Sequence, residues 1–254
     1  MFVGHFAVAL AAKRAAPAVS LGVLFLACQL ADLVWPNFVL MGIEQVEVEP
    51  GNTAFTPLHF AFYPYSHSLV AILGWGALTA LLYAVIRRAS RWDALVIALV
   101  VVSHWALDAL THRPDLPLTI TGATRVGLGL WNHVAGTVAV ESLMLMAGLG
   151  LYLRATRARD RRGTLVFWSL IGVLIAITAA NIVGPPPPSA AAVVWAAQLM
   201  WLFVAWAFWA DRHRQPVGTR LRASSEEATH GPLRRPGFGG RGSDAGTWTD
   251  RSRP

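Results

Sequence analysis

The chain has 254 residues, 55% of them hydrophobic and only 14% charged, which is too apolar for an ordinary soluble domain. The formal net charge of +7 does not point to nucleic acid as a partner. Arg87, Arg88 and Arg91 fill one short connection and Arg154, Arg157, Arg159, Arg161 and Arg162 another, which is a pattern of membrane topology. Cys28 stands alone, excluding an intrachain disulfide and a cysteine-rich zinc site.

The opening Met1-Phe2-Val3-Gly4-His5-Phe6 lacks the basic region of a signal peptide. Phe2 to Ala12 is apolar and helix-forming, yet it ends at Lys13-Arg14 and Pro17, too soon to cross a bilayer. It reads either as a half-membrane helix folded against the first span or as a surface amphipathic helix. In the first case a rise of about 1.5 Å per residue lifts His5 toward the depth of Asp32.

Crossing a bilayer takes roughly 20 mostly apolar residues. Ser20 to Trp35 is a short first span, followed by an acidic loop from Pro36 to Tyr65 carrying Glu44, Glu47 and Glu49 and the turn signals Pro50-Gly51-Asn52, Thr56-Pro57 and Tyr63-Pro64. Further spans are expected at Ser68 to Ile86, Ala94 to Leu110, Val126 to Leu153, Thr164 to Val183 and Ala190 to Ala210. Gly184 to Pro188 is a stiff, uncharged connection before the last of them. Asp211 onward turns polar and basic, and Val217 to Pro254 reads as disordered. The expectation is an all-α, polytopic membrane helix bundle of six spans, with a membrane domain at 1–210 and a basic cytoplasmic tail at 211–254. Arg-rich connections and the C-terminus lie in the cytoplasm, and the Pro36 to Ser66 loop lies outside.

Within the third span the apolar run Ala94 to Val102 gives way to Ser103-His104-Trp105-Ala106-Leu107-Asp108-Ala109-Leu110-Thr111-His112-Arg113-Pro114-Asp115. Ionisable groups inside a span are costly to bury and mark functional sites by default. His104, Asp108 and His112 are spaced to share one helix face. Asp32 ends the first span, His67 opens the second and His133 the fourth, so on this topology all converge on one leaflet. Imidazole and carboxylate without thiolate suit zinc, with manganese or iron as alternatives, and a catalytic ion keeps a position for water.

Simpler roles stand beside these. His104 and Asp108 also suit a buried hydrogen-bonded pair, and Asp32 a partner for a backbone or an arginine. Ser66 or Ser68 suits a helix cap. Glu141 shares a stripe with His133 and Thr137, as a group behind the ligands or an interhelical hydrogen bond. Arg113 and Asp115 sit at the mouth of the site, positioning a substrate or solvating a helix end. His59 and His213 read as ordinary interface histidines.

The order His5, Asp32, Ser66-His67-Ser68 and His104-x-x-x-Asp108, from Met1 to about Leu118, resembles the YdjM-type family of inner-membrane metal-dependent hydrolases. That family is similar to zinc-dependent phospholipase C and to a class of zinc nucleases. The resemblance implies His5, His67, His104 and Asp108 as metal ligands and Asp32 as a ligand or the base that orients water, with catalysis on Asp32 and Asp108. The relatives' further His-x-x-x-Glu pair is not matched, since His133 is followed by Thr137 at that spacing and by Glu141 two turns on. One or two ions are therefore expected, with His112 and His133 as additional candidates. The function expected is metal-dependent hydrolysis of a lipid or lipid-linked phosphoester at the outer face of a bacterial inner membrane. A permease or metal transporter, and a structural membrane protein with a metal staple, are the alternatives.

Overall fold

The computed structural model describes residues 1–217. The tail read as disordered lies outside the described residues from 218 onward. Helix α1 (Val3–Ala15) is followed by α2 (Leu21–Cys28) and α3 (Leu30–Leu40), which meet at Gln29 with a bend of 53°. An antiparallel ribbon, β1 (Gln45–Val48) with β2 (Leu58–Phe62), leads into the short α4 (Pro64–His67). Then come α5 (Leu69–Arg87) and α6 (Arg91–Thr111), a small ribbon of β3 (Leu116–Pro117) with β4 (Arg125–Val126), and a 3-10 turn at Leu130–Asn132. The chain continues through α7 (Val134–Ala155), β5 (Thr156–Ala158), α8 (Arg161–Val183), α9 (Ala190–Gln198), α10 (Met200–Arg212) and β6 (Arg214–Pro216).

Five helical segments are long and apolar enough to cross a membrane, counting α9 with α10 as one, and six if the bent α2 and α3 form a single span. Large apolar side chains such as Leu81, Val85, Leu99 and Leu165 stand exposed on their outer faces. Such a surface suits a lipid bilayer, and the fold is the all-α bundle of a multi-pass membrane protein.

Helix α1 is not a surface helix. It buries Val3, His5, Phe6, Leu10 and Lys13 on all sides, within the core shared with α2, α6, α8 and α10. Its main partner is α7, where Gly148 lies against the backbone of Ala7 so closely that a Cβ would collide with it. Lys13 is held by the carbonyl of Val19 at 2.7 Å and by Asp211 at 3.0 Å.

Several boundaries differ from those expected. Helix α3 runs through Pro36 instead of stopping before it. Proline removes one N–H and fixes a helical φ, so one missing bond is tolerated beside an existing bend. The helix ends at Gly42, whose φ of 72° takes the left-handed conformation usual there. The loop that follows holds a ribbon, because Gln45, Val46 and Glu47 alternate exposed, buried, exposed, the period of a strand. Val126 does not open a span: it is in β4, and Gly127 and Gly129, with φ of 156° and 74°, turn the chain before α7 begins at Val134. The folded unit also extends past residue 210. Strand β6 pairs with β5, and the buried Arg214 bonds Thr156 Oγ1 at 3.1 Å and lies 4.7 Å over the Phe167 ring.

Candidate metal centre

Five of the expected ligands come together from four segments. His5 is contributed by α1, Asp32 by α3, His67 by the last residue of α4, and His104 and Asp108 by α6. His104 and Asp108 lie in the last two turns of α6, about 5 to 10 Å below its end. Ser68, immediately after His67, accepts from the Ala71 N–H at 3.1 Å and starts α5 there, so the capping role foreseen for it holds.

Two overlapping groups, His5–His104–Asp108 and Asp32–His67–His104, can each hold a metal ion. His104 Nε2 is 3.1 Å from Asp108 Oδ2 and 3.8 Å from Asp32 Oδ1. His67 Nε2 is 3.3 Å from Asp32 Oδ1 and 4.0 Å from Asp108 Oδ2. A tetrahedral ion with ligands at about 2.0 to 2.1 Å sets them about 3.3 Å apart; the His104–Asp108 and His67–Asp32 separations stand near that value and the other two are wider. Asp108 has a second side: Oδ1 lies 3.2 Å from His5 Nε2 and 2.9 Å from the backbone nitrogen of Met1. The His5 and His104 rings are stacked, 3.9 Å apart and 4° from parallel.

The hydrogen bonds behind the rings decide which nitrogens face inward. His104 Nδ1 donates to the carbonyl of Cys28 at 2.8 Å, which leaves Nε2 with its lone pair toward the carboxylates. The buried Glu44 accepts from the Tyr65 and Ser66 N–H groups at 2.8 Å each and from Ser66 Oγ at 2.6 Å. With its proton given to Glu44, Ser66 Oγ accepts from His67 Nδ1 at 2.7 Å, so His67 also turns a bare Nε2 inward. Two imidazole lone pairs thus face two carboxylates. Such an array calls for positive charge or donors: a proton on a ring, a divalent cation between them, or the Met1 nitrogen that donates to Asp108 at 2.9 Å.

His112 does not join the cluster. Helix α6 ends at Thr111, and His112 has extended backbone, with φ of −63° and ψ of 146°, so the four-residue register from Asp108 is lost. Its Nδ1 donates to Asp115 at 2.9 Å, and its ring packs 4.4 Å from Trp131. Tyr63 Oη lies 3.2 Å from His112 Nδ1. Burial, with the Asp115 carboxylate beside it, pushes the Tyr63 phenol well above its usual range. Arg113 braces Asp115 at 3.2 Å. His133 is exposed at the start of α7. Glu141 accepts from the N–H groups of Phe2 and Gly4 at 3.1 and 3.2 Å and so anchors the start of α1. His59 faces Glu49 at 3.4 Å in the ribbon, and His213 faces Asp160 at 3.0 Å. Sequence reasoning missed Glu44, which nothing in the sequence sets apart from Glu47 and Glu49.

A cavity of about 1360 Å³ reaches Asp32, His67, Asp108 and His112 and is roofed by residues 50–58 and the Pro185–Pro188 run. The roof is tied down by a hydrogen bond of 2.9 Å from the Phe55 N–H to the Trp131 carbonyl. Comparison with known proteins gives no match: no family model, no curated protein and no solved structure is significantly similar to this chain.

Proposed function

We propose that the protein is a membrane-embedded, metal-dependent hydrolase acting on a phosphoester at headgroup level. The observation that carries this reading is the pair of imidazole nitrogens, His67 Nε2 and His104 Nε2, aimed at the carboxylates of Asp32 and Asp108 at ion-coordinating spacing. Nitrogen and oxygen donors without sulfur favour zinc, with manganese or iron as alternatives. A divalent ion held there supplies Lewis acidity and lowers the pKa of water toward neutrality.

The chain's own residues have separable tasks in this scheme. His67 and His104 bind through Nε2. Asp108 presents one oxygen to them and the other to His5. Both carboxylates line the cavity, and Asp32, whose side chain is 26% exposed against 4% for Asp108, is the more open of the two. In the proposed hydrolysis Asp32 would orient the attacking water and take up its proton as the water oxygen bonds to phosphorus and the ester P–O bond breaks, and would return that proton to the leaving oxygen. The Arg-bearing connection between α5 and α6 lies at the other end of those helices from the cluster, which under the positive-inside rule supports a site at the outer face of a bacterial inner membrane and a cytoplasmic C-terminus. The spaced His and Asp motifs similar to the YdjM-type family support the same chemistry.

The test is metal analysis of the detergent-purified protein beside its His104→Ala/Asp108→Ala double variant, with bis(p-nitrophenyl) phosphate as a water-soluble substrate. Stoichiometric metal and turnover, both lost in the variant, are expected. Equal trace metal in the two proteins overturns the reading.

A further inference from the structure

The cavity at the cluster continues far beyond it, and its two ends differ in chemistry. Among the described residues, the only ionisable side chains lining it are Asp32, His67, Asp108 and His112, all at one end. There too stand Trp35 and Trp131, at 5% and 9% exposure, whose indole Nε1 atoms have no hydrogen-bond partner among the described residues. An indole N–H only donates, and leaving one buried and unsatisfied is costly. Phe60 packs between the two, 5.6 Å from Trp35 and 6.5 Å from Trp131, so both donors belong to one aromatic wall beside the cluster.

Away from that wall the lining is mostly hydrocarbon, with the uncharged Asn181 among it: Val173 and Ile177 of α8, Val193 and Ala197 of α9, and Phe203 of α10. The lining residues run from Ala192 to Trp209 along α9 and α10, and 17 steps of about 1.5 Å give roughly 25 Å of helix, most of the apolar thickness of a bilayer. A soluble phosphoester has no use for such a groove. A lipid does.

We propose that the cavity is a binding site for a phosphate-bearing membrane lipid, its phosphate oxygens accepting from Trp35 and Trp131 beside the cluster and one hydrocarbon chain lying between α8 and α9–α10. The inference rests on the hydrolase reading for its place in catalysis, but lipid capture is measurable without turnover. Orphan donors call for acceptor oxygens, and the predominantly apolar lining of α8, α9 and α10 calls for a chain attached to them.

Photolabelling of the full-length protein in detergent, with a phosphatidic acid carrying a diazirine at the end of one acyl chain, tests this. Labels are expected on α8 and α10 residues of the groove and are displaced by unlabelled phosphatidic acid. Ala196→Trp, which fills the groove, abolishes them, and Trp131→Phe, which keeps the ring and removes the donor, weakens competition about fivefold or more. Labels confined to the outer faces of α5 and α6 and indifferent to Ala196→Trp overturn the proposal. Equal displacement by uncharged diacylglycerol also overturns it, because the phosphate is then not read. Displaceable groove labelling in a protein without metal leaves the lipid site standing and removes the hydrolase. Turnover of bis(p-nitrophenyl) phosphate without displaceable labelling does the reverse.

Discussion

The rings of His5 and His104 lie face to face, 3.9 Å apart and 4° from parallel, although one belongs to the short α1 and the other to a spanning helix. The contact makes α1 a wall of the site. His5→Phe keeps the stack and removes Nε2 from Asp108, so metal affinity is expected to fall about tenfold or more while the fold survives. Competition with a chelator of known affinity measures it, and an unchanged affinity would make His5 a packing residue only.

Glu44 acts on the cluster through two intermediaries. Glu44→Ala removes the acceptor that orders Ser66 and frees His67 to turn its other nitrogen inward. Metal affinity is expected to drop about 10- to 100-fold, with Ser66→Ala producing a comparable loss and the Glu44→Ala/Ser66→Ala double variant adding little to either. Additive losses would show that the two residues act separately.

Gly148 admits the backbone of α1 against α7. Gly148→Val forces the helices apart, and an overpacking cost of about 1 to 3 kcal/mol is expected in unfolding experiments in detergent. Metal content should fall in parallel, since His5 moves with α1. Loss of stability with a full metal complement would mean that α1 shifts without disturbing the cluster.

Asp160 caps α8 through the Gly163 N–H at 2.7 Å and also faces His213. These bonds hold its carboxyl below the usual value, the backbone bond most strongly. A lowered folded pKa means that the stabilisation is complete above the unfolded value, near 3.9, and is lost as pH falls through the folded one. The midpoint difference between wild type and Asp160→Ala should therefore shrink between about pH 5 and about pH 3. A difference constant over that range would assign the effect of the substitution to packing.

The spans were legible because hydropathy over about 20 residues is a strong signal, and His104 and Asp108 because an ionisable pair in such a run has few structural uses. His112 was misplaced by the same periodicity: four-residue spacing holds only while the helix does, and α6 stops one residue short of it. The continuation through Pro36 was hidden because a proline reads as an end even where tertiary packing carries the helix onward. Glu44 became visible only when folding brought residue 44 against residues 65 and 66, a proximity that local pattern does not encode.

The bend at Gln29 has a chemical as well as a mechanical side. The Cys28 carbonyl at the break bonds His104, and Asp32, one turn later, supplies a carboxylate, so one irregular residue sets both a tautomer and a ligand. Because the acceptor at position 28 is a main-chain atom, exchanging its side chain leaves the tautomer intact, whereas straightening α2 into α3 returns that carbonyl to the helix ladder. A thicker bilayer favours the straighter, longer form of the pair. On the proposed metal chemistry, that straightening would lower the affinity of the cluster for a cation.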